Sequence, residues 1–216
     1  MILAAGFGTR LKPVTDMIPK ALVVYKGKPL IQHQIERLRN AGVREIVINT
    51  HHLPDKIAEY IKNHTFDVII NLIVEKEILG TGGAVLNAKD YFQSEDSFVV
   101  VNVDIDTDAD IKEIINFHSN DNLATIGVQK RKTSRYLEFT GDMNLIGRAK
   151  DITKENLFAF NGIHIISKEI FNFELEIKYR DILDIYSDLS LTGKTIKGYN
   201  FENSFFKDIG KLENLI

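Results

Sequence analysis

Two glycines, an arginine and a lysine stand close together near the start of the chain, in LAAGFGTRLKPVTDMIPK at residues 3–20. Glycine at positions 6 and 8 lets backbone N–H groups approach an anion that a side chain would shield, and Arg10 and Lys20 bring two positive charges to the same loop. Such a loop suits a polyphosphate, and its length suits a triphosphate. Two shorter phosphate signatures do not fit. The dinucleotide pattern G-x-G-x-x-G lacks its third glycine, since Gly6 and Gly8 are followed by Leu11, and the P-loop tail TGKT at residues 192–195 has Asp188 in place of its first glycine.

A second group of reactive side chains is acidic. VVVNVDIDTD at residues 99–108 alternates three aspartates, which invites a calcium loop, but Ala109 occupies the obligatory glycine position and Ile115 stands where the closing glutamate belongs. Asp104 remains of interest because it follows a buried strand, and ligands of open α/β sheets bind beyond the carboxyl ends of the strands. Asp106 and Asp108 are expected only to turn the chain and cap the next helix. His51 and His52 are adjacent, without metal-ligand spacing, and read as loop residues.

The elements that must position these groups alternate. Strands are expected at residues 2–5, 44–49, 67–74 and 97–102. Between them, helical spacing of apolar residues marks 29–41, stopped by Gly42, a helix opened by Pro54, and a helix led in by GTGGAV at 80–85. Strands as uniformly apolar as SFVVVN are covered on both faces, which points to a doubly wound, Rossmann-like α/β fold with a mostly parallel sheet. After residue 108 the rhythm changes. A helix carrying Ile111, Ile114 and Ile115, short strands over 123–147, a strand at 157–166, a helix at 178–189 and a last strand near 195–206 describe a small mixed-sheet region. A single domain over 1–216 is expected, with halves at 1–107 and 108–216.

Composition bounds the function. The 216 residues are 44% hydrophobic and 26% charged with a formal charge of -3, which disfavours a nucleic-acid partner, and no apolar run is long enough for a membrane span. The absence of cysteine removes disulfides and thiolate metal sites and fits a cytoplasmic protein. Met1 lies so near the glycine turn that the natural chain is expected to have room to start further upstream.

Taken together, LAAGFGTRLKPVT and the following PKAL resemble the signature of the sugar-1-phosphate nucleotidyltransferases, L-A-[AG]-G-x-G-T-R-[LM]-x-P-x-T followed by P-K-x-[LM]. The resemblance extends along essentially the whole chain. It implies a sheet of the nucleotide-diphospho-sugar transferase type, with nucleotide held by Leu3, Ala4, Ala5, Gly6, Gly8, Thr9, Arg10 and Lys20. EILGTGGAV resembles the segment that packs beside the base, which implies Gly80, Thr81 and Gly82 there. VVVNVDIDTD resembles the strand ending in G-D, with Val103 for the glycine, and FFKDIGKLENL resembles W-x-D-[IV]-G-T, with Phe206 for tryptophan and Lys211 for threonine. Asp104 and Asp208 are thereby implied as ligands of a magnesium ion, a role favoured for Asp208 over capping the terminal turn at 211–215. FAFNGIHII resembles the strand lining the sugar pocket, which implies Asn161 and Gly162. The E-K-P triplet whose lysine reaches the sugar phosphate is missing, and Lys150 is its nearest replacement.

The resemblance implies an enzyme that joins a sugar 1-phosphate to a nucleoside triphosphate, with Arg10, Lys20 and Asp104 as its catalytic residues. Products are an NDP-sugar and pyrophosphate. The compact form looks like the uridylyltransferases for N-acetylmuramic acid 1-phosphate in peptidoglycan recycling, so UTP and a cell-wall role are favoured. Guanylyltransferases for mannose or heptose 1-phosphate look almost the same. A cytidylyltransferase for a phospho-alcohol and a non-catalytic regulator that binds nucleotide-sugars are the remaining alternatives. Its partners are expected to be these small molecules, in a monomer or homodimer.

Overall fold

The computed structural model describes residues 1–215. The protein is mixed α/β, and the chain divides into two compact units. One comprises Met1–Ile78, Val101–Ile111 and Phe205–Ile216, and the other Leu79–Val100 and Lys112–Ser204. Among the described residues no helix is long and apolar enough to cross a membrane.

The first unit is built on parallel strands. Ile2–Leu3 lies between Glu45–Thr50 and the last two residues of Ser97–Asn102, and Glu45–Thr50 pairs in turn with Ile69–Val74. Ile2, Ile46, Ile48 and Val101 are buried, as inner parallel strands require. The helix Leu30–Asn40 buries Leu30, Ile31, Ile35 and Leu38 along one stripe, and Pro54–Lys62, opened by its proline, buries Ile57. Each such aliphatic side chain contributes about 1.5–3 kcal/mol by leaving water.

A short antiparallel ribbon completes this unit. Ile105–Thr107 pairs with Phe206–Asp208 so that Asp208 faces Ile105, and Ile209 N donates to Asp104 O at 2.8 Å. Gln34 Nε2 of the helix Leu30–Asn40 donates to Ile105 O at 2.7 Å, and Arg37 donates to Thr107 O. The ribbon is therefore clamped from the helix side through its own backbone.

The second unit carries a mixed sheet. Leu157–Ser167 pairs antiparallel with Ala124–Gln129 and with Tyr136–Phe139; Leu145–Arg148 extends the latter, and Ile196–Asn200 runs parallel to Ala124–Gln129. The helices Gly80–Asn87 and Ile182–Leu191 belong to the same unit.

Three boundaries differ from the sequence reading. The strand expected over 195–206 is two strands, Ile196–Asn200 and Phe206–Asp208, which belong to different units. The helix expected from residue 178 starts at Ile182, because the Asp181 carboxylate accepts from Leu183 N at 3.0 Å and fixes Asp181 as its N-cap. Asp108, expected to cap the helix Ile111–Phe117, accepts through its Oδ1 from Phe205 N at 2.6 Å and so holds the entry to the ribbon.

Candidate active site

The glycine loop leaves the strand Ile2–Leu3 with Leu3, Ala4 and Ala5 buried and Gly6 and Phe7 exposed. Gly8 is left-handed at φ +64°, and a Cβ there would meet Thr15 Cγ2 at 2.8 Å and Lys20 Cβ at 3.0 Å. Glycine is required for both reasons. Gly8 O accepts from Leu11 N and from Thr15 Oγ1, each at 2.8 Å, which brings the loop back on itself. Among the described residues no group accepts from the N–H of Gly6, Phe7, Gly8 or Thr9. Unspent backbone donors beyond the carboxyl end of a parallel strand are matched to phosphate oxygens.

The loop is braced by polar residues that sequence reasoning passed over. Ala4 N donates to Asn49 Oδ1 at 3.0 Å, and Asn49 Nδ2 donates to the buried Glu75 Oε1 at 2.8 Å. Asn49 follows the apolar run Ile46, Val47 and Ile48 and is itself buried, and a polar residue at that place was the available signal. His51 and His52 are loop residues as expected: their ring nitrogens lie 2.9 Å from Glu75 O and Thr15 O, and both rings contact Phe7.

The four charged residues singled out from the sequence come together in the first unit. Lys20 Nζ forms an ion pair with Asp104 Oδ2, and Arg10 Nη1 donates to Asp208 Oδ2 at 3.1 Å. Gly210 stands among them. A Cβ added to it would lie 2.6 Å from Asp104 Oδ2, 2.7 Å from Arg10 Nη2 and 2.9 Å from Asp208 Oδ1. Both carboxylates therefore face one small space, which the ribbon register creates by setting Asp208 opposite Ile105. Asp208 does not cap the last turn with its side chain; its Oδ1 accepts from Gly210 N at 2.8 Å, while its main-chain oxygen accepts from Asn214 Nδ2 at 2.7 Å.

This cradle fits a hard divalent cation. Two carboxylates converge on one point, and among the described residues no cluster of three or more metal-type side chains exists to form a closed protein cage. Magnesium is usually held in this manner, by one or two carboxylates with substrate phosphates supplying further oxygens. Asp106, expected only to turn the chain, lies in the ribbon and accepts from Tyr25 Oη at 2.9 Å and Lys26 Nζ at 2.7 Å. Burial would raise its carboxyl, but the hydrogen bonds from Lys26 and Tyr25 outweigh that and hold it below the usual range.

The remaining predicted residues lie in the second unit. Gly80, Thr81 and Gly82 open the helix Gly80–Asn87, as expected, but their immediate neighbours are residues 178–182. Gly82 N donates to Arg180 O at 2.8 Å, Thr81 Oγ1 accepts from Ile182 N at 2.9 Å, and a Cβ on Gly83 would lie 2.2 Å from Lys178 O. Asp181 gathers this corner, since it caps the following helix and accepts from Thr81 Oγ1 at 3.3 Å and Arg148 Nη2 at 2.8 Å. Asn161 is buried, its Oδ1 accepting from Ile163 N at 3.1 Å, and Gly162 falls where the strand register shifts between Phe160 and His164. Asn161 Nδ2 is buried without a partner among the described residues, and Gly162 is left-handed at φ +82°.

The nucleotidyl transferase family pattern matches residues 1–216. Mannose-1-phosphate guanyltransferases of Saccharomyces cerevisiae and Kluyveromyces lactis are 32% and 31% identical over 228 residues, covering 100% of this chain. The chain spans 62% of the length of these curated relatives. Among solved structures, HddC from Yersinia pseudotuberculosis superimposes with a TM-score of 0.80 at 28% identity, over 99% of this chain and 94% of that one. The same protein complexed with GMP-PN gives a TM-score of 0.78 at 27% identity, with the same coverage. A family pattern that runs along residues 1–216 assigns the chain to the nucleotidyl transferase family.

Proposed function

We propose that the chain transfers a nucleoside monophosphate from a nucleoside triphosphate to a sugar 1-phosphate. The observation that carries this reading is the convergence of Arg10, Lys20, Asp104 and Asp208 around Gly210, beside a loop with four unspent N–H groups. A phosphate oxygen of the sugar 1-phosphate attacks the α-phosphorus and forms the new P–O bond. The bond from that phosphorus to the α,β-bridging oxygen breaks, and pyrophosphate leaves with the electron pair. A phosphate monoester is already nucleophilic near neutral pH, so no general base is required, and the work is alignment of two polyanions.

The chain's residues divide that work. The N–H groups of Gly6 to Thr9 hold phosphate oxygens, while Arg10 and Lys20 leave their carboxylate partners to take the β,γ-phosphates. Asp104 and Asp208, so released, would hold a magnesium ion, which would supply Lewis-acid withdrawal of charge from the reacting phosphates. Leu3, Ala4 and Ala5 form the buried floor of the loop. The roles of Gly80 to Gly82 toward the base and of Asn161 and Gly162 toward the sugar rest on the family resemblance.

For the base, the relatives favour guanine over the uracil preferred from sequence. Two are named mannose-1-phosphate guanyltransferases, and HddC was solved with GMP-PN. GTP and mannose 1-phosphate are accordingly the proposed substrates. Pyrophosphate release measured over four nucleoside triphosphates crossed with several sugar 1-phosphates tests this, with GTP and mannose 1-phosphate expected to give the largest kcat/KM. Release confined to UTP would reverse the base assignment, and no release in any combination would refute the activity.

A further inference from the structure

Arg10 and Lys20 are each engaged by one of the two aspartates, so these four residues sum to zero charge. Lys12, the other cation of the loop, is paired with Asp16 at 2.9 Å. A site for a triphosphate needs cations able to leave their partners for it, and next to Gly210 the chain carries a third candidate, Lys211. Arg10, Lys211, Leu212 and Glu213 line an open depression of about 590 Å³. The Lys211 ammonium is half-exposed, and Glu213, its ion-pair partner at 3.5 Å, is more exposed still. A pair of this kind holds its members weakly, so the lysine is able to turn toward a stronger anion.

The backbone under Lys211 is fixed. Asn214 N donates to Lys211 O at 3.0 Å, while Asn214 Nδ2 ties the same turn to Asp208 O. The turn carrying Lys211 is thus anchored to the strand carrying Asp208, so the lysine keeps a constant place beside Arg10. The related signature has threonine here, a residue without charge.

We infer that Lys211 is a third phosphate-binding cation of this chain, which takes the terminal phosphates of the nucleoside triphosphate and the departing pyrophosphate together with Arg10. The inference rests on the proposed nucleotidyl transfer. Glu213, lining the same depression, repels the ligand when the lysine is absent, so the loss on removing Lys211 is larger than that of one exposed contact.

Binding of inorganic pyrophosphate and of GMP, each measured calorimetrically with magnesium, tests it on the wild type and on Lys211→Ala, Lys211→Thr and Lys211→Arg. Pyrophosphate affinity is expected to fall about tenfold in the alanine and threonine variants and to be largely restored by arginine, with GMP affinity changed less than about twofold. Unchanged pyrophosphate affinity in Lys211→Ala, or an equal loss for GMP, overturns the assignment, as does a wild type that binds no pyrophosphate. A wild type that binds pyrophosphate yet releases none from any substrate pair refutes the proposed activity alone, and the binding series still decides the role of Lys211.

Discussion

Lys20 and Asp104, 84 positions apart in the chain, form a mostly buried ion pair, with side chains 14% and 16% exposed. Arg10 and Asp208 form a looser counterpart. The proposed phosphate cations thus neutralise the proposed metal carboxylates, and ligand binding must exchange both pairs together. Metal alone competes with Lys20, and triphosphate alone leaves Asp104 without a counter-ion in a poorly solvated place. Lys20→Met is therefore expected to separate two effects. Turnover falls on the order of 100-fold through loss of a charge at the phosphates, while binding of Mn2+ in the absence of nucleotide tightens several-fold. Titration of Mn2+ by electron paramagnetic resonance reads the second effect, and weaker Mn2+ binding in the variant would contradict the exchange.

Asp104→Asn keeps an oxygen for Lys20 but removes the charge. The ribbon is held through backbone contacts, Ile209 N to Asp104 O among them, so the fold survives with a loss of about 1–3 kcal/mol in urea unfolding. Turnover is expected to disappear. Pyrophosphate release at saturating magnesium is the measurement, and normal activity would remove Asp104 from the mechanism.

Gly210→Ala places a methyl group in the space that the two carboxylates share. Gly210 is not left-handed, so the substitution acts through contact with Asp104, Arg10 and Asp208 and not through backbone strain. The ends of these side chains can move apart, and stability should change by about 1 kcal/mol or less. Divalent affinity in the presence of nucleotide is expected to fall at least about tenfold, a larger effect than the stability change alone implies. Equal Mg2+ dependence of turnover in the variant and the wild type would show that the shared space does not hold the ion.

The charged centre was legible in the sequence because each member sits in a locally distinctive string: G-F-G-T-R, P-K, V-D after an apolar strand, and D-I-G. What joins them was not. The register that sets Asp208 opposite Ile105 is a pairing across about a hundred residues, and no local periodicity encodes it. The helix at 178–189 was overextended for a related reason. Its apolar spacing, Ile182, Ile185, Tyr186 and Leu189, starts only at Ile182, and Asp181, committed to Leu183 N, Thr81 and Arg148, fixes the start there. Asp108 misled likewise, since its partner, Phe205 N, comes from the far end of the chain. Asn161 is only half explained, since its Oδ1 accepts from Ile163 N while its buried Nδ2 has no partner among the described residues.

His164 gives the second unit a pH dependence that its active-site role does not require. The ring is fully buried, with Nδ1 2.7 Å from the Tyr186 hydroxyl and no partner for Nε2 among the described residues. Burial lowers its pKa to about 3 from an ordinary 6.5. Between those values the unfolded chain binds a proton at this position and the folded chain does not, so stability is complete above pH 6.5 and declines as the pH falls toward 3. The decline is about 1.4 kcal/mol per pH unit, or roughly 2–3 kcal/mol between pH 6.5 and 4.5. His164→Gln can still accept from the Tyr186 hydroxyl but does not titrate, and it is expected to lose that share of the acid sensitivity while retaining the part due to carboxylates. Urea unfolding of both proteins at pH 7 and pH 4.5 measures the difference directly. Parallel losses in the two proteins would mean that the imidazole accepts a proton without leaving the fold, which its sealed surroundings forbid.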